Sequence, residues 1–217
     1  MIPKIIHQFW IGPKPMPRSF MQSWRDKHPN WDYMLWDEHL LNSWFKGGLQ
    51  NQRQYNEMPE LCGKCDIARY EILHKFGGFY ADADSICLES LDDYLLINQF
   101  FASYENEFVR GGLVSNAFMG SVPGLTFTQS IMDAIGGKSG KALWDGHPSA
   151  WRTVGPVLLT SVLHQTRFTN ASIYPSYFFT PHHYTGVEYL GPAKSYARQY
   201  WGSTPNSGYD YPDRYPK

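Results

Sequence analysis

The run Gly77-Gly78-Phe79-Tyr80-Ala81-Asp82-Ala83-Asp84 constrains this chain more than any other. A helical pattern from Glu60 to Phe76 precedes it, with Leu61, Cys65, Ile72 and Phe76 as its apolar stripe. Gly77 suits the position just past the helix end. Phe79 to Ala81 then has strand character, and two carboxylates follow one residue apart. Side chains alternate along an extended chain, so Asp82 and Asp84 project to the same side. Two hard oxygen ligands at a strand end suit Mg²⁺ or Mn²⁺, above all an ion already carrying phosphate oxygens. An isolated Asp-x-Asp is also what a solvated turn looks like; the flanking helix and strand give this one its weight.

The opening of the chain reads β-α-β-α. Lys4 to Trp10 is a short apolar strand closed by Gly12-Pro13-Lys14-Pro15, and Arg18 to Lys27 places Phe20, Met21 and Trp24 at helical spacing before His28-Pro29 stops it. Trp31 to Trp36 is a second strand, and Asp37 caps a helix from Glu38 to about Trp44. That alternation predicts a layered α/β domain. Gly47 to Asn56 reads as a loop and Leu91 to Leu96 as a helical turn. Gln99 to Ser103 and Ala117 to Met119 read as strands, and Leu125 to Ile135 and Val154 to Leu163 as helices. After Tyr174 the chain becomes irregular and rich in Pro, His and Tyr, ending in loop or tail from Ser203. With no internal repeat and no linker composition, residues 1–217 are expected to form one domain.

Composition narrows the partners. With 19 basic against 20 acidic residues and a net charge of −1, neither nucleic-acid binding nor a polybasic membrane anchor is expected. The 8 Trp, 15 Tyr and 13 Phe exceed what a core alone needs to explain and suit planar ligands such as bases and sugars. No apolar run reaches the roughly 18 residues of a membrane-spanning helix. Met1 to His7 runs directly into a strand rather than a signal peptide, and Cys62, Cys65 and Cys87 cannot all pair, so a cytoplasmic location is expected. The Cys62-x-x-Cys65 pair lies within a helix and lacks a second pair, which argues against zinc or thioredoxin chemistry. His182 and His183 point apart in an extended loop and suit an acceptor-side or structural role. Gly111-Gly112 reads as a turn.

Asp66 and Arg69 stand three apart on one helix face, the usual spacing of a surface ion pair. Their helix, however, feeds directly into the Asp82/Asp84 strand. An Asp that accepts sugar hydroxyls while an Arg holds it makes a sensible clamp for a donor sugar.

Together, Cys65-Asp66-Ile67-Ala68-Arg69-Tyr70 and Gly77 to Asp84 resemble the signature of the DxD-containing sugar transferases. That family includes yeast initiating mannosyltransferases, capsule and lipopolysaccharide transferases, and clostridial glucosylating toxin domains. Ile5-Ile6-His7-Gln8-Phe9-Trp10-Ile11-Gly12 resembles its first strand and Trp31 to Asp37 its second. The resemblance runs from Pro3 to about Leu91 and continues more loosely through Ser115 to Met119 and Val154 to Pro156.

The resemblance implies a GT-A fold, a central mostly parallel mixed sheet flanked by helices in a single nucleotide-sugar-binding domain. It implies a nucleoside-diphosphate sugar donor (UDP preferred, GDP possible), Mn²⁺ or Mg²⁺, a glycan or other hydroxyl acceptor, and retention of anomeric configuration. Trp10 matches the aromatic that stacks on the base, with Ile11 beside it. Asp66 and Arg69 match the pair that holds the donor sugar, and Tyr80 a pocket tyrosine. Asp82 matches the carboxylate near ribose and sugar, Asp84 the direct metal ligand, and Asn116 lies in a segment near the donor. Toward the C-terminus Gln199 stands where the family has His, and Thr204 where it has Trp. A Gln offers a carbonyl oxygen to Mg²⁺ or Mn²⁺, so Gln199 joins Asp82 and Asp84 as a candidate metal ligand. Arg198 or Lys194 is expected to supply charge to the phosphates. Residues 192–217 are expected to act as lid and tail, with Trp201 covering the phosphates and Ser203 hydrogen-bonding them. Two other functions compete: a Mg²⁺-dependent phosphohydrolase with Asp82 as nucleophile, and a sugar-binding module without catalysis.

Overall fold

The computed structural model describes residues 1–138 and 150–202. Ser203 and the rest of the expected tail lie outside the described residues. The centre of the fold is a six-stranded sheet built from β1 (Ile5–Phe9), β2 (Asp32–Trp36), β3 (Gly78–Ala81), β5 (Phe100–Tyr104), β6 (Val114–Ser121) and β7 (Ala171–Tyr174), in the order β2-β1-β3-β6-β5-β7. β1 pairs in parallel with both β2 and β3, and β5 with β7; β6 alone runs against its neighbours. The sheet is therefore mixed and mostly parallel, as expected.

Both faces of the sheet are covered, and the alternation of its side chains shows it. On β3, Phe79 enters the core beneath Trp24, Phe118 and Phe179, while its neighbour Tyr80 enters the opposite core with Ile67, Tyr70 and Met119. Phe100 and Phe101 divide in the same way on β5. The Tyr80 side is roofed by α4 (Leu61–Phe76), α6 (Thr126–Gly136) and α8 (Pro156–Thr166). The Trp24 side is covered by α1 (Arg18–Lys27) and the short α5 (Asp93–Leu96). Asp37 caps α2 (Glu38–Trp44) as expected, accepting from the Leu40 N–H at 2.7 Å.

The helix α4 departs from its predicted stripe. Leu61 is 43 % exposed, whereas Ile67, Ala68, Tyr70, Ile72 and Leu73 are fully buried. The helix runs between sheet and outer helices, so it is buried on nearly every side, polar positions included. Glu71 is tolerated there because its carboxylate accepts from the N–H groups of Gln50 (2.9 Å) and Asn51 (2.7 Å). That anchor fixes the segment leading into α3 (Gln52–Glu57), a helix lying where the sequence suggested a loop. At the end of α4, Gly77 (φ +64°) and Gly78 (φ +93°) turn the chain into β3. A Cβ on Gly78 would stand 2.7 Å from the Ile5 carbonyl oxygen, so no side chain fits between β1 and this turn.

A second, two-stranded sheet joins β4 (Ser85–Cys87) to β8 (Ala197–Gln199), in antiparallel register with Ser85 opposite Gln199. Residues 196–199, expected to belong to a loose lid, are thus rooted in a strand pair with Tyr196 buried. α7 (Ala150–Thr153) completes the roof beside α8. Among the described residues no helix is long and apolar enough to cross a membrane.

Candidate functional site

The strands β1 and β3 are parallel neighbours, and Trp10 and Asp82 each follow the C-terminal end of one of them. Ligand sites of open α/β sheets gather at this edge. Between the two strand ends opens a cleft of about 290 Å³, lined among others by Trp10, Ile11, Arg69, Tyr80, Asp82 and Asp84.

The backbone of Asp82 is pinned from three sides. Its N–H donates to the Ala117 carbonyl at 3.0 Å. Its carbonyl accepts from Ser85 Oγ at 2.5 Å and from Gln8 Nε2 at 3.2 Å. Gln8 is in turn fixed by Tyr33, whose hydroxyl donates to it at 2.6 Å. Gln8 is a positioning residue that the sequence did not reveal, because its role depends on a contact with β2.

Arg69 organises the carboxylates. Its Nη2 lies 3.0 Å from Asp66 and 3.1 Å from Asp82, its Nη1 donates to the Asn116 carbonyl at 2.6 Å, and its guanidinium sits 4.5 Å over the Tyr80 ring. The Asn116 side chain donates to Asp66 at 2.9 Å. Asn116 therefore holds both members of the Asp66–Arg69 pair. The i, i+3 pair is a buried network, not a surface ion pair, and its polar groups are satisfied by one another. Gly155 lies close by: a Cβ there would stand 2.7 Å from the Trp151 Cα and 2.9 Å from Asp66 Oδ2.

Asp84 lies half-buried in the turn after β3. Gln199 Nε2 donates to it at 2.8 Å and reaches Asp82 at 3.4 Å, so the two carboxylates do face one partner. The Gly202 N–H donates to the second Asp84 oxygen at 2.5 Å, and the Asp84 carbonyl accepts from the Tyr200 N–H at 3.0 Å. Burial pushes the Asp82 carboxyl up to about 7, with Arg69 opposing the shift and Asp84 adding to it. Burial also raises Asp84, against the hydrogen bonds from Gly202 and Gln199.

These donors fit a divalent cation. Gln199 Oε1 is buried with no hydrogen-bond partner while its amide nitrogen faces the carboxylates. Turning the amide over would present that orphaned oxygen to Asp82 and Asp84, completing a set of hard oxygen donors. Among the described residues no group of three or more His, Cys, Asp or Glu side chains is placed to hold a metal.

Other expected site residues lie apart from the cleft. Arg198 alternates to the far face of β8 from Gln199 and stacks over Tyr200 at 5.3 Å. Lys194 pairs with Asp92 at 2.9 Å. Trp201, in a left-handed conformation with φ +58°, packs edge-on against His183 and Tyr184, and its indole N–H donates to the His182 carbonyl at 3.4 Å. The two histidines do point apart: His182 pairs with Glu188 at 3.0 Å, and the buried His183 faces Glu105 at 3.4 Å. All three cysteines are free; Cys62 and Cys65 line the cleft, and burial raises both thiols, Cys62 to about 12. Lys14, at the cleft lip, was not among the expected site residues.

Residues 17–102 match the family described as "Glycosyltransferase sugar-binding region containing DXD motif". It is 29 % identical over 164 residues to inositol phosphoceramide mannosyltransferase 2 of Schizosaccharomyces pombe, covering 74 % of this chain and 46 % of that protein. The chain spans about half the length of the curated relatives it matches. Among solved structures it superposes on the PaToxG glycosyltransferase with a TM-score of 0.59 at 16 % identity, covering 76 % of this chain and 70 % of the other. The UDP-bound glycosyltransferase domain of the YGT toxin gives a TM-score of 0.51 at 12 % identity, covering 79 % of each chain. The GT-A fold expected from the sequence is the fold the chain adopts.

Proposed function

We propose that this chain is a metal-dependent glycosyltransferase that moves a sugar from a nucleoside-diphosphate donor to a hydroxyl acceptor, a glycan by preference, with retention. One observation carries the reading. The Asp82–Asp84 pair, bridged by Gln199 and held by Arg69, opens on the cleft that also carries Trp10. The base stacks on Trp10 beside Ile11, and the donor sugar lies toward Asp66 and Arg69. Asp84, Asp82 and the Gln199 carboxamide oxygen would hold Mn²⁺ or Mg²⁺, which would supply charge against the diphosphate leaving group.

The placement of the carboxylates bears on the route by which retention would be reached. Among the described residues lining the cleft, the carboxylates are Asp82 and Asp84, and both face Gln199. Neither is free to serve as a nucleophile on the sugar. The acceptor oxygen then bonds to the anomeric carbon on the face from which the phosphate oxygen departs, and that phosphate oxygen takes the acceptor proton. Asn116 acts through Asp66 and Arg69 and is a positioning residue. Residues 192–202 are the described part of the proposed lid over the donor, with β8 as its fixed root.

Uracil is the preferred base and UDP the preferred donor nucleotide, in keeping with the UDP-bound toxin domain. The mannosyltransferase relative makes GDP the competitor. A donor panel of UDP- and GDP-sugars with Mn²⁺ tests the reading. Acceptor-dependent nucleotide release that EDTA abolishes is expected; no release from any donor, with no nucleotide binding, would overturn it.

A further inference from the structure

We infer that Lys14 is the cation that receives the donor's diphosphate. The inference rests on the glycosyltransferase reading and deepens it by assigning the charge that the leaving group meets. The basic residues expected for this task are committed elsewhere. Arg198 stacks on Tyr200 across β8 from the carboxylates, and Lys194 donates to Asp92 and to the Ser90 carbonyl. Arg69 does line the cleft, but its guanidinium is taken up by Asp66, Asp82 and the Asn116 carbonyl.

Lys14 differs from all three. Its Nζ stands at the cleft lip, 3.3 Å from the Gly202 carbonyl oxygen, and the N–H of the same Gly202 caps Asp84 at 2.5 Å. Among the described residues no carboxylate lies within ion-pair distance of it. An ammonium carries three donors, and one long bond to a neutral carbonyl leaves its charge uncompensated. A phosphate oxygen would replace that carbonyl with a charge-assisted bond.

The loop that carries Lys14 is also fixed to the proposed base platform. The Trp10 indole N–H donates to the Lys14 carbonyl at 3.2 Å. Gly12, at φ +102°, lets the loop lie so close to α4 that a Cβ there would stand 2.5 Å from a Leu61 methyl. Base platform, ammonium and Asp84 thus follow one another around a single rim, in the order nucleoside, diphosphate and metal that a sugar nucleotide presents.

Titration calorimetry of uridine, UMP, UDP, guanosine and GDP, run with EDTA and again with Mn²⁺, tests the assignment. In EDTA, Lys14→Met is expected to lose about ten-fold or more in diphosphate affinity while nucleoside affinity is unchanged. Lys14→Arg is expected to recover most of the loss, and the wild type, unlike Lys14→Met, to bind UDP more weakly as salt rises. A Lys14→Met protein that keeps the wild-type gain of UDP over uridine overturns the inference and leaves the glycosyltransferase reading standing. A wild type that binds neither nucleoside nor nucleotide overturns that reading, and the inference with it.

Discussion

Gln199 donates its side-chain amide to Asp84 at 2.8 Å across 115 residues of sequence. With Asp82 also within 3.4 Å, the amide nitrogen occupies the place a cation would take between two carboxylates. On the proposed metal-binding reading, the amide turns over so that its oxygen, not its nitrogen, faces an incoming cation.

A third carboxylate at that position therefore separates metal binding from folding. Gln199→Glu is expected to lower Tm in EDTA, because three acidic groups then crowd one site. Its Mn²⁺-induced rise in Tm should exceed that of the wild type, because ligand affinity adds directly to stability. Gln199→Leu is expected to lose the Mn²⁺ shift and bind Mn²⁺ at least about ten-fold more weakly. Thermal melts across a Mn²⁺ titration read both; an unchanged shift in Gln199→Leu would remove Gln199 from the ligand set.

Arg69→Met should be the more damaging change to the fold. It leaves Asp66 and Asp82 facing each other with their shared guanidinium gone. Removing one partner of a buried ionic network costs about 3–5 kcal/mol. Asn116→Ala removes one hydrogen bond to Asp66 and should cost about 1–2 kcal/mol. Urea denaturation orders the two variants, and equal stabilities would contradict the network.

Much of this site was legible in the sequence because its parts are local. Asp66 and Arg69 share a helix face, Asp82 and Asp84 share a strand end, and Trp10 follows a strand that the hydrophobic pattern marks. What the sequence hid is tertiary. Arg69 bridges two aspartates, 3 and 13 residues away along the chain, only because the Gly77–Gly78 turn folds β3 back alongside α4. The pairing of β4 with β8 joins three-residue strands far apart in the chain, too short to carry a period. That pairing turns Gln199 toward the aspartates and Arg198 away from them, which spacing alone does not reveal. α3 was missed because its approach is fixed by Glu71, a residue of another helix.

His7 sets a pH dependence of stability. Its Nε2–H donates to the Gly77 carbonyl at 2.9 Å while Nδ1 accepts from the Trp36 indole at 3.1 Å, so the ring is neutral and fully bonded. Burial lowers it from 6.5 to about 4, the Gly77 hydrogen bond opposing. Between those values the unfolded chain binds the extra proton, so stability is present above pH 6.5 and is lost as pH falls toward 4. The loss amounts to roughly 3 kcal/mol. Asp82, raised instead, contributes with the opposite sign over a similar range. The difference between wild type and His7→Gln isolates the histidine, and parallel stability–pH curves for the two would contradict its assignment.

Trp10→Ala tests the base platform. Stacking of a base on an aromatic ring is worth roughly 1–3 kcal/mol, so nucleoside affinity should fall about ten-fold or more. Calorimetry that finds uridine binding unchanged would place the base elsewhere.

Asp82 and Asp84 are proposed to hold the metal through which a nucleotide sugar is used. The most direct test is nucleotide release from the donor panel by wild type and by Asp84→Ala, each with Mn²⁺ and with EDTA, after circular dichroism shows both proteins folded. The account predicts release by the wild type with Mn²⁺ alone, and none by Asp84→Ala under either condition. Release by Asp84→Ala at the wild-type rate, or release that EDTA leaves untouched, would contradict it.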